Sequence, residues 1–489
     1  MRTVFYSQII SAKDGNLIPL CKNNSTGQES SLHSKYNPLR EAEGFASSIA
    51  PGCSFFVILG LCGGYHIKKL IEKFPESKVL AVENSIDDIE FLSEIPCVQA
   101  LLRDKRIKVS GIENLSETLL QFYKPHIHGN LTILSLRQWE NSFPESYLLA
   151  KEKINESVKL LASDFSVQSH FGKIWQKNIL SNLKILDKIH TPVFQDNKKD
   201  KVAAVIAAGP GLDDSIKELK THREKYFIIA TDTAFSSLLK QQIISDAVVS
   251  IDGQSVSHEH YIERLPSGTI YAFDLCANSS SVRKALKAGA KVLFFETGHP
   301  LAQYASFFDG NQNLPHLEAG SGTVTIAGAS LAKSLGFEKI EFFGADFSYT
   351  GGRPYCRGTY LESKYYSNST RLSSAEKSYT ALMYRTPVIK LSENRITTEI
   401  LQAYKDSLEV FMKNLSQKEN QDNFLLTSEK RFSYDSFISQ YCRELKETFK
   451  NPGSPDETTN AFTTILPLLA KLGRNFSFVA YLKKLEYNI

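Results

Sequence analysis

Long apolar runs without polar alternation recur through the middle of the chain, each followed by a turn and an amphipathic stretch. The clearest is Val202 to Ser215, VAAVIAAGPGLDDS, in which seven small or branched apolar residues lead into a glycine-proline turn and a helix start. A strand covered by helices on both faces has no polar face to show, so this run predicts a buried parallel strand. Similar runs predict strands at Phe227–Asp232, Asp246–Asp252, Thr269–Leu275, Lys291–Glu296 and Lys339–Asp346. Between them, helical spacing predicts helices through Leu239, over Val282–Lys287, near Leu301–Phe308 and over Gly322–Leu335. Strands alternating with helices imply a parallel sheet.

The flanks carry a second, similar pattern and a helical tail. Two short apolar stretches around Asp14-Gly15 predict an amino-terminal hairpin. Pro38 sits at the start of a packing helix, and the strands Phe55–Leu59 and Lys78–Glu83 bracket the turn Gly60-Leu61-Cys62-Gly63-Gly64. That layout is one by which nucleotide-binding units put glycines under a cofactor and an acid, here Glu83, on its ribose. The glycines do not follow GxGxxG, and we expect a scaffold. From Ser157 to Ile189 the pattern is helical, with Phe171, Trp175, Asn178 and Asn182 on one face. Gln195–Lys201 reads as a linker, and Ala375–Met383, Thr397–Leu415, Ser436–Phe449 and Phe462–Leu485 as helices, the last two separated by a polar break, Asn451–Thr459. The expected domains are 1–155 (α/β), 156–195 (helical linker), 196–370 (nucleotide-sugar-binding and catalytic) and 371–489 (helical).

Composition narrows the class. A charged fraction of 22% and a hydrophobic fraction of 42% suit a globular protein, and a net charge of +4 with scattered basic residues gives no footprint for nucleic acid. No apolar run reaches a membrane span and the start lacks a secretion-signal layout, so we expect a cytoplasmic protein without membrane insertion. The seven cysteines form no CxxC pair and no zinc-type spacing, and are expected to be reduced and structural.

Candidate chemistry gathers where the central strands end. The turn Gly209-Pro210-Gly211 lets backbone approach a ligand, and the helix after it would aim unpaired N–H groups at a phosphate. Thr231, Asp232, Asp252, Gln254, Asp346 and Tyr349 also follow strands, and Ser321, Gly322 and Thr323 open a helix. The carboxyl ends of parallel strands open onto one crevice, where hydroxyls and free N–H groups suit phosphoryl oxygens and a carboxylate suits a ribose, a metal or a proton. For each acid alone a structural cap or a buried hydrogen-bond acceptor is the commoner role. The loop Gly351–Gly358, with glycines around Arg353 and Arg357, is expected either to close over a donor or, equally, to be a rigid structural loop.

Taken together, these stretches resemble the motility-associated factor (Maf) flagellin glycosyltransferases. LHSKYNPLREAE, FGKIWQKNILSNL, AAGPGLDDSI, FIIATDTAFSSLL, ISDAVVSIDGQ and SGTVTIAGASLAKSLGFEKIEFFGADFSYTGGRPYCRGTY carry the resemblance, and RLSSAEKSY carries it more weakly. It implies a Rossmann-like amino-terminal domain, a central Rossmann-like sialyltransferase-type parallel sheet and a helical carboxy-terminal domain. It also implies transfer of a nonulosonic acid, pseudaminic or legionaminic, from its CMP-activated form to serine or threonine of flagellin, the metal requirement being open. The central part is similar to bacterial sialyltransferases, whose Asn-Gly-Pro-Ser turn stands here as Ala208-Gly209-Pro210-Gly211. Those enzymes carry a histidine base beyond the last acid-ending strand, whereas this chain has no histidine after His316. The base is then Asp346, Asp252 or an upstream residue such as His258. The same central pattern is shared by archaeal 6-hydroxymethyl-dihydropterin pyrophosphokinases, which would need ATP and Mg²⁺, and a non-catalytic flagellin-binding assembly factor is a third class.

Overall fold

The computed structural model describes residues 5–22, 29–189, 201–261, 264–308, 314–320, 322–415, 432–450, 460–472 and 475–486. The chain divides into two compact units, Met1–His170 and Phe171–Ile489.

In the first unit, β1 (Tyr6–Ser11), β2 (Leu17–Lys22) and β3 (Glu29–Ser31) form an antiparallel sheet. Its hairpin turns where Asp14-Gly15 predicts, with Gly15 at φ +86°. The next helix, Pro38–Ser47, starts on Pro38 and is capped by Asn37, whose side chain accepts the Arg40 N–H at 2.8 Å. Then β4 (Phe55–Leu59), β5 (Lys78–Glu83), β6 (Ile107–Gly111) and β7 (Leu131–Ser135) make a parallel sheet of order β6-β5-β4-β7. All five residues of β4 are buried, which is why the run shows no alternation.

The glycine turn after β4 wraps around the chain's own carboxylate. Glu83 accepts from Tyr6 Oη at 2.9 Å, the Leu61 and Cys62 N–H groups at 3.0 and 3.3 Å, both Asn84 nitrogens at 3.0 Å and Trp139 Nε1 at 2.8 Å. Every lone pair is engaged and the residue is fully buried. The acid that the layout would put on a ribose is thus taken up by the chain's own donors.

The second unit holds β8 (Val202–Ile206), β9 (Tyr226–Thr231), β10 (Ala247–Ser250), β11 (Ile270–Asp274), β12 (Lys291–Phe295) and β13 (Ile340–Phe343). They form one parallel sheet of order β12-β11-β10-β9-β8-β13. The core on one face joins Ile229, Val249, Ala272 and Leu293 to the helix Val324–Ser334. Beyond it the chain, expected to be mainly helical, also holds strands. β14 (Tyr349–Thr350), β15 (Val388–Ser392) and β16 (Arg395–Thr398) form a small antiparallel sheet of order β14-β16-β15. The helix expected from Thr397 therefore starts at Glu399 and runs to Leu415. Helices Tyr434–Thr448, Leu466–Leu472 and Phe478–Glu486 come after it. Most of the expected linker Gln195–Lys201, and the whole break Asn451–Thr459, lie outside the described residues.

The helical pattern from Ser157 belongs to one helix, Pro144–Leu186. Among the described residues no helix is long and apolar enough to cross a membrane. All seven cysteines are unpaired.

Candidate active site

Beyond the carboxyl end of most strands in the six-stranded sheet the chain turns acidic, and in a parallel sheet all of these ends emerge at one edge. Asp232 comes directly after β9, Asp252 lies two residues beyond β10, Asp274 closes β11, Glu296 comes directly after β12 and Asp346 lies three residues beyond β13. β8 ends instead on the glycine-proline turn. Neighbouring strands are about 4.8 Å apart, so this edge is a row of carboxylates interrupted at one position.

That position is where the strand order reverses. β8 to β12 step in one direction and β13 returns to the other side of β8, which is where ligand crevices open in such sheets. There the Gly211 N–H donates to Asp346 Oδ2 at 2.6 Å and the Gly209 N–H to the Gly344 carbonyl at 2.8 Å. Pro210 has no N–H to offer. A Cβ at position 209 would sit 2.3 Å from Asp346 Oδ2 and 2.5 Å from the Gly344 carbonyl, and one at 211 would sit 2.5 Å from Asp346 Oδ1. The glycines are there to admit the Asp346 carboxylate. The turn read from the sequence as a backbone seat for phosphate thus already carries an anion, at the amino terminus of the helix Leu212–Thr221. Asp346 is held in turn by β16: Arg395 donates to its carbonyl at 3.0 Å and to Ser348 Oγ at 2.7 Å, and Thr397 Oγ1 donates to the Phe347 carbonyl at 2.8 Å.

Two strands away lies a second cluster. Thr231 caps the helix Asp232–Lys240, and Asp232 is 4% exposed. Its Oδ1 accepts the Thr233 N–H at 2.7 Å and its Oδ2 the Ser250 hydroxyl at 2.6 Å. Asp252 accepts the Gln254 N–H at 2.8 Å. Burial pushes the Asp252 carboxyl up, the Gln254 N–H opposes the rise, and the neighbouring charges of Asp232 and His260 raise and lower it respectively. The histidine acting on Asp252 is therefore His260, two residues past the His258 singled out from the sequence; both lie in the 3₁₀ turn Ser255–Tyr261. The His260 ring packs edge-on against Tyr360 at 4.2 Å between centroids. Burial pushes the Tyr355 phenol up to about 12, with Asp232 adding to the rise, and pushes Tyr360 up as well. Both phenols are hydrogen-bond donors at neutral pH.

The loop Gly351–Gly358 bears Tyr355 and is laced to the two helices beside it. Cys356 N–H donates to the Ala208 carbonyl at 2.9 Å, Arg357 N–H to Asp213 Oδ1 at 2.9 Å, and Ser236 and Lys240 to the Gly358 carbonyl at 3.2 and 3.0 Å. Arg353 pairs with Asp213 at 2.9 Å, and Arg357 lies 4.0 Å from the same carboxylate with its side chain 75% exposed. A loop so tied is a fixed wall, the rigid one of the two expectations, rather than a lid. On its far side Gly351, Gly352 and Arg353 line a cavity of about 700 Å³ with Tyr366, Glu376, Tyr379, Thr380, Met383 and Tyr384. Tyr349 is half-buried in β14.

Gly322, at φ +90°, precedes Thr323, which caps the helix Val324–Ser334. Ser321 lies outside the described residues. Gln254 is exposed, and its carbonyl accepts from Asn278 Nδ2 at 3.0 Å. Among the described residues no three His, Cys, Asp or Glu side chains converge as a metal site.

Helical spacing puts Asn178 and Asn182 on one face but does not reveal their partners. Asn178 Nδ2 donates to the carbonyls of Gly253 and Cys276 at 2.9 and 3.0 Å, and Asn182 Nδ2 to those of Leu275 and Ala277 at 2.9 and 2.8 Å. The end of the helix thereby pins the loops after β10 and β11, and with them Asp252. Glu296 and His316 carry no sequence signal as a pair. His316 Nδ1 meets Glu296 Oε1 at 2.7 Å, the carboxylate being 1% exposed and the ring 47%.

Residues 177–352 match the family model described as 6-hydroxymethylpterin diphosphokinase MptE-like. The chain is 37% identical over 148 residues to an uncharacterized protein of Treponema pallidum (strain Nichols), covering 30% of this chain and 70% of that protein. It is 42% identical over 149 residues to a second uncharacterized protein of the same organism, covering 30% of this chain and 52%, about half, of that relative. Among solved structures, the MAf glycosyltransferase from Magnetospirillum magneticum AMB-1 superimposes with a TM-score of 0.51 over 100% of this chain and 87% of that one. At 12% sequence identity that likeness is one of fold. The chain thus belongs to one family with the first of these Treponema pallidum proteins, carries an MptE-like domain at its centre and has the fold of the MAf glycosyltransferase.

Proposed function

We propose that the chain is a glycosyltransferase whose donor, a CMP-activated nonulosonic acid, lies along the carboxyl edge of the six-stranded sheet and whose acceptor is a serine or threonine of flagellin. The observation that carries the reading is the cluster of Asp232, Asp252, His260, Tyr355 and Tyr360 at that edge, in a fold shared with a glycosyltransferase. In transfer, the acceptor oxygen bonds to the anomeric carbon, the bond from that carbon to the phosphate oxygen breaks, and CMP leaves with the electron pair. The charge that develops on the phosphate calls for donors. The protonated phenols of Tyr355 and Tyr360 and the exposed guanidinium of Arg357 supply them, while the half-buried Asp252 suits a ribose hydroxyl. Asp346 keeps the turn in shape. The test is direct: flagellin from a strain lacking the gene should lose the mass of one sugar per site, and CMP should raise the melting temperature of the purified protein where ATP does not.

A second reading rests on the MptE-like match, which favours diphosphate transfer from ATP to a pterin alcohol. A Mg²⁺ ion would then be held by Asp232 and Asp252 jointly with the nucleotide phosphates, since Mg²⁺ usually takes one or two carboxylates plus substrate oxygens. Stabilisation by ATP with Mg²⁺, and not by CMP, would select it.

A further inference from the structure

We propose that the small antiparallel sheet and the cavity beside the Gly351–Gly358 loop dock the acceptor polypeptide. Its segment lies as an added strand on the outer edge of β15, with an apolar side chain seated among Tyr366, Tyr379 and Tyr384. The inference rests on the glycosyl-transfer reading and names the surface that presents the acceptor hydroxyl to the donor.

The edge sets the chemistry of the occupant. In the order β14-β16-β15 the middle strand is β16, and among the described residues no strand lies on the outer side of β15. Its five residues, at about 3.4 Å each, offer a row of backbone N–H and C=O groups about 17 Å long, which an extended backbone satisfies and a sugar does not. Ile389 and Leu391 are both exposed. The register with β16 slips between Lys390 and Ser392, and bulges of this kind re-aim a side chain. Lys390 is the one charge on the strand. A symmetric antiparallel pairing of two copies along the whole of β15 would centre on Lys390 and set one lysine against the other. That disfavours a second copy and favours a different chain, with a polar or acidic residue at that place.

The cavity supplies the side-chain contact. Its volume, about 700 Å³, is of the size that encloses a small molecule or a short stretch of peptide. Of its three tyrosines Tyr379 is buried, and Tyr366 and Tyr384 are exposed, with Tyr366 edge-on to Tyr379 at 6.5 Å between centroids. These rings and the Met383 thioether make an adaptable lining for an aliphatic or aromatic side chain. The exposed Glu376 repels an anion, and Arg353 is already paired with Asp213, so the donor phosphate is not the occupant.

Both parts run on into the transfer cluster. The Gly351 N–H donates at 2.9 Å to the carbonyl of Asn394, in the turn between β15 and β16, and the same loop carries Tyr355. The Tyr379 ring meets that of Tyr365 at 5.6 Å, and Tyr365 is close enough to Tyr355 to act on its phenol. With the ribose at Asp252 beyond β10, and the phosphate at Tyr355 and Arg357 beside β9 and β8, the donor runs along the sheet edge toward β13. The chain passes from β13 into β14, so the sugar end of the donor faces the small sheet.

The test uses the full chain and unglycosylated flagellin, with CMP-N-acetylneuraminic, CMP-pseudaminic and CMP-legionaminic acids as donors. Flagellin binding is read by calorimetry, transfer by CMP release and oligomeric state by light scattering. Leu391→Glu on the edge and Tyr384→Ala in the cavity change exposed residues and keep the fold. Each should weaken flagellin binding, and raise KM for flagellin, by about tenfold or more, while CMP binding and kcat stay within about twofold of the parent. A photocrosslinking p-benzoylphenylalanine in place of Ile389 should join to flagellin at one segment next to a glycosylated serine or threonine. Flagellin binding by both variants within about twofold of the parent overturns the docking and leaves the transfer reading standing. A parent dimer that Leu391→Glu converts to a monomer assigns the edge to a second copy and overturns the docking as well. A parent that binds no flagellin and transfers none of the three sugars overturns the glycosyl-transfer reading itself, and the docking with it.

Discussion

Asn178 offers the sharpest test of how the candidate site is held. Its side-chain amide spends both protons on buried carbonyls of two different loops, Gly253 at 2.9 Å and Cys276 at 3.0 Å. Asn178→Leu keeps the bulk and strips both donors, leaving two carbonyls without a partner in a site where the residue is 6% exposed. Each buried group left unpaired costs about 1–3 kcal/mol, so the variant should lose about 2–6 kcal/mol. Asn178→Asp separates hydrogen bonding from packing. Its carboxylate would face two carbonyl oxygens, which raises its folded-state pKa above the unfolded value of about 3.9. Below that value the protonated acid donates one bond and its stability contribution is fully present; the contribution is lost as pH rises through the raised folded pKa. Urea unfolding at pH 4.5 and pH 8 should therefore show Asn178→Asp weakening with pH, relative to the parent, and Asn178→Leu equally weak at both. CMP binding should weaken in both variants, because Asp252 rides on the released loop. An Asn178→Leu midpoint within 0.5 kcal/mol (about a tenth of the total stability of a small domain) of the parent, or no pH dependence in Asn178→Asp, would refute the clamp.

The geometry sets three further expectations. A Cβ at Gly63 would meet the His33 and Tyr65 rings at 2.9 Å, so Gly63→Ala should destabilise the first unit by about 1–3 kcal/mol in a denaturant melt, and calorimetry of the parent should show no binding of S-adenosylmethionine. Asp346→Asn keeps an acceptor for the Gly211 N–H and should cost about 0.5–1 kcal/mol through the lost charge at the helix start, whereas Asp346→Ala should cost more; equal stability of parent and alanine variant would dismiss the carboxylate as the holder of the turn. Burial raises the Asp274 carboxyl from 3.8 to about 6, so its contribution to stability is present below about pH 4 and lost as pH rises through 6. Asp274→Asn should accordingly gain on the parent between those values, by up to about 3 kcal/mol, and a constant difference across a pH series of melts would contradict it.

The parallel sheets are legible in the sequence because burial on both faces writes itself as unbroken apolar runs: β4, β9 and β11 fall where Phe55–Leu59, Phe227–Asp232 and Thr269–Leu275 predict them, within a residue or two. The resemblance to the motility-associated factors is borne out by the fold and the MptE-like match. β15 is not legible, since four of its five residues are exposed and Lys390 and Ser392 break any alternation. At the site, strand-end acids are readable from topology alone, but their partners are not. His258 and His260 share one 3₁₀ turn, and only packing against Tyr360 distinguishes the second. Glu296 and His316 are twenty residues apart with no motif between them, and the bridge that joins them is a tertiary contact. The glycine turn is a place of close approach, as its composition predicts, yet the approaching group is a side chain 135 residues away.

The long helix ending at Leu186 bears on where the central domain can be cut. The MptE-like match begins at residue 177, inside that helix and one residue before Asn178, and it stops at 352, between β14 and the strand β16 that pairs with it. A fragment trimmed to those bounds would place Asn178 in a fraying first turn and discard Arg395 and Thr397, the anchors of the Asp346 segment. Homology boundaries here delimit what descent has kept in common, whereas cooperative folding draws its border further out on both sides. A fragment meant to bind ligand should begin no later than Phe171 and retain the chain through Leu415.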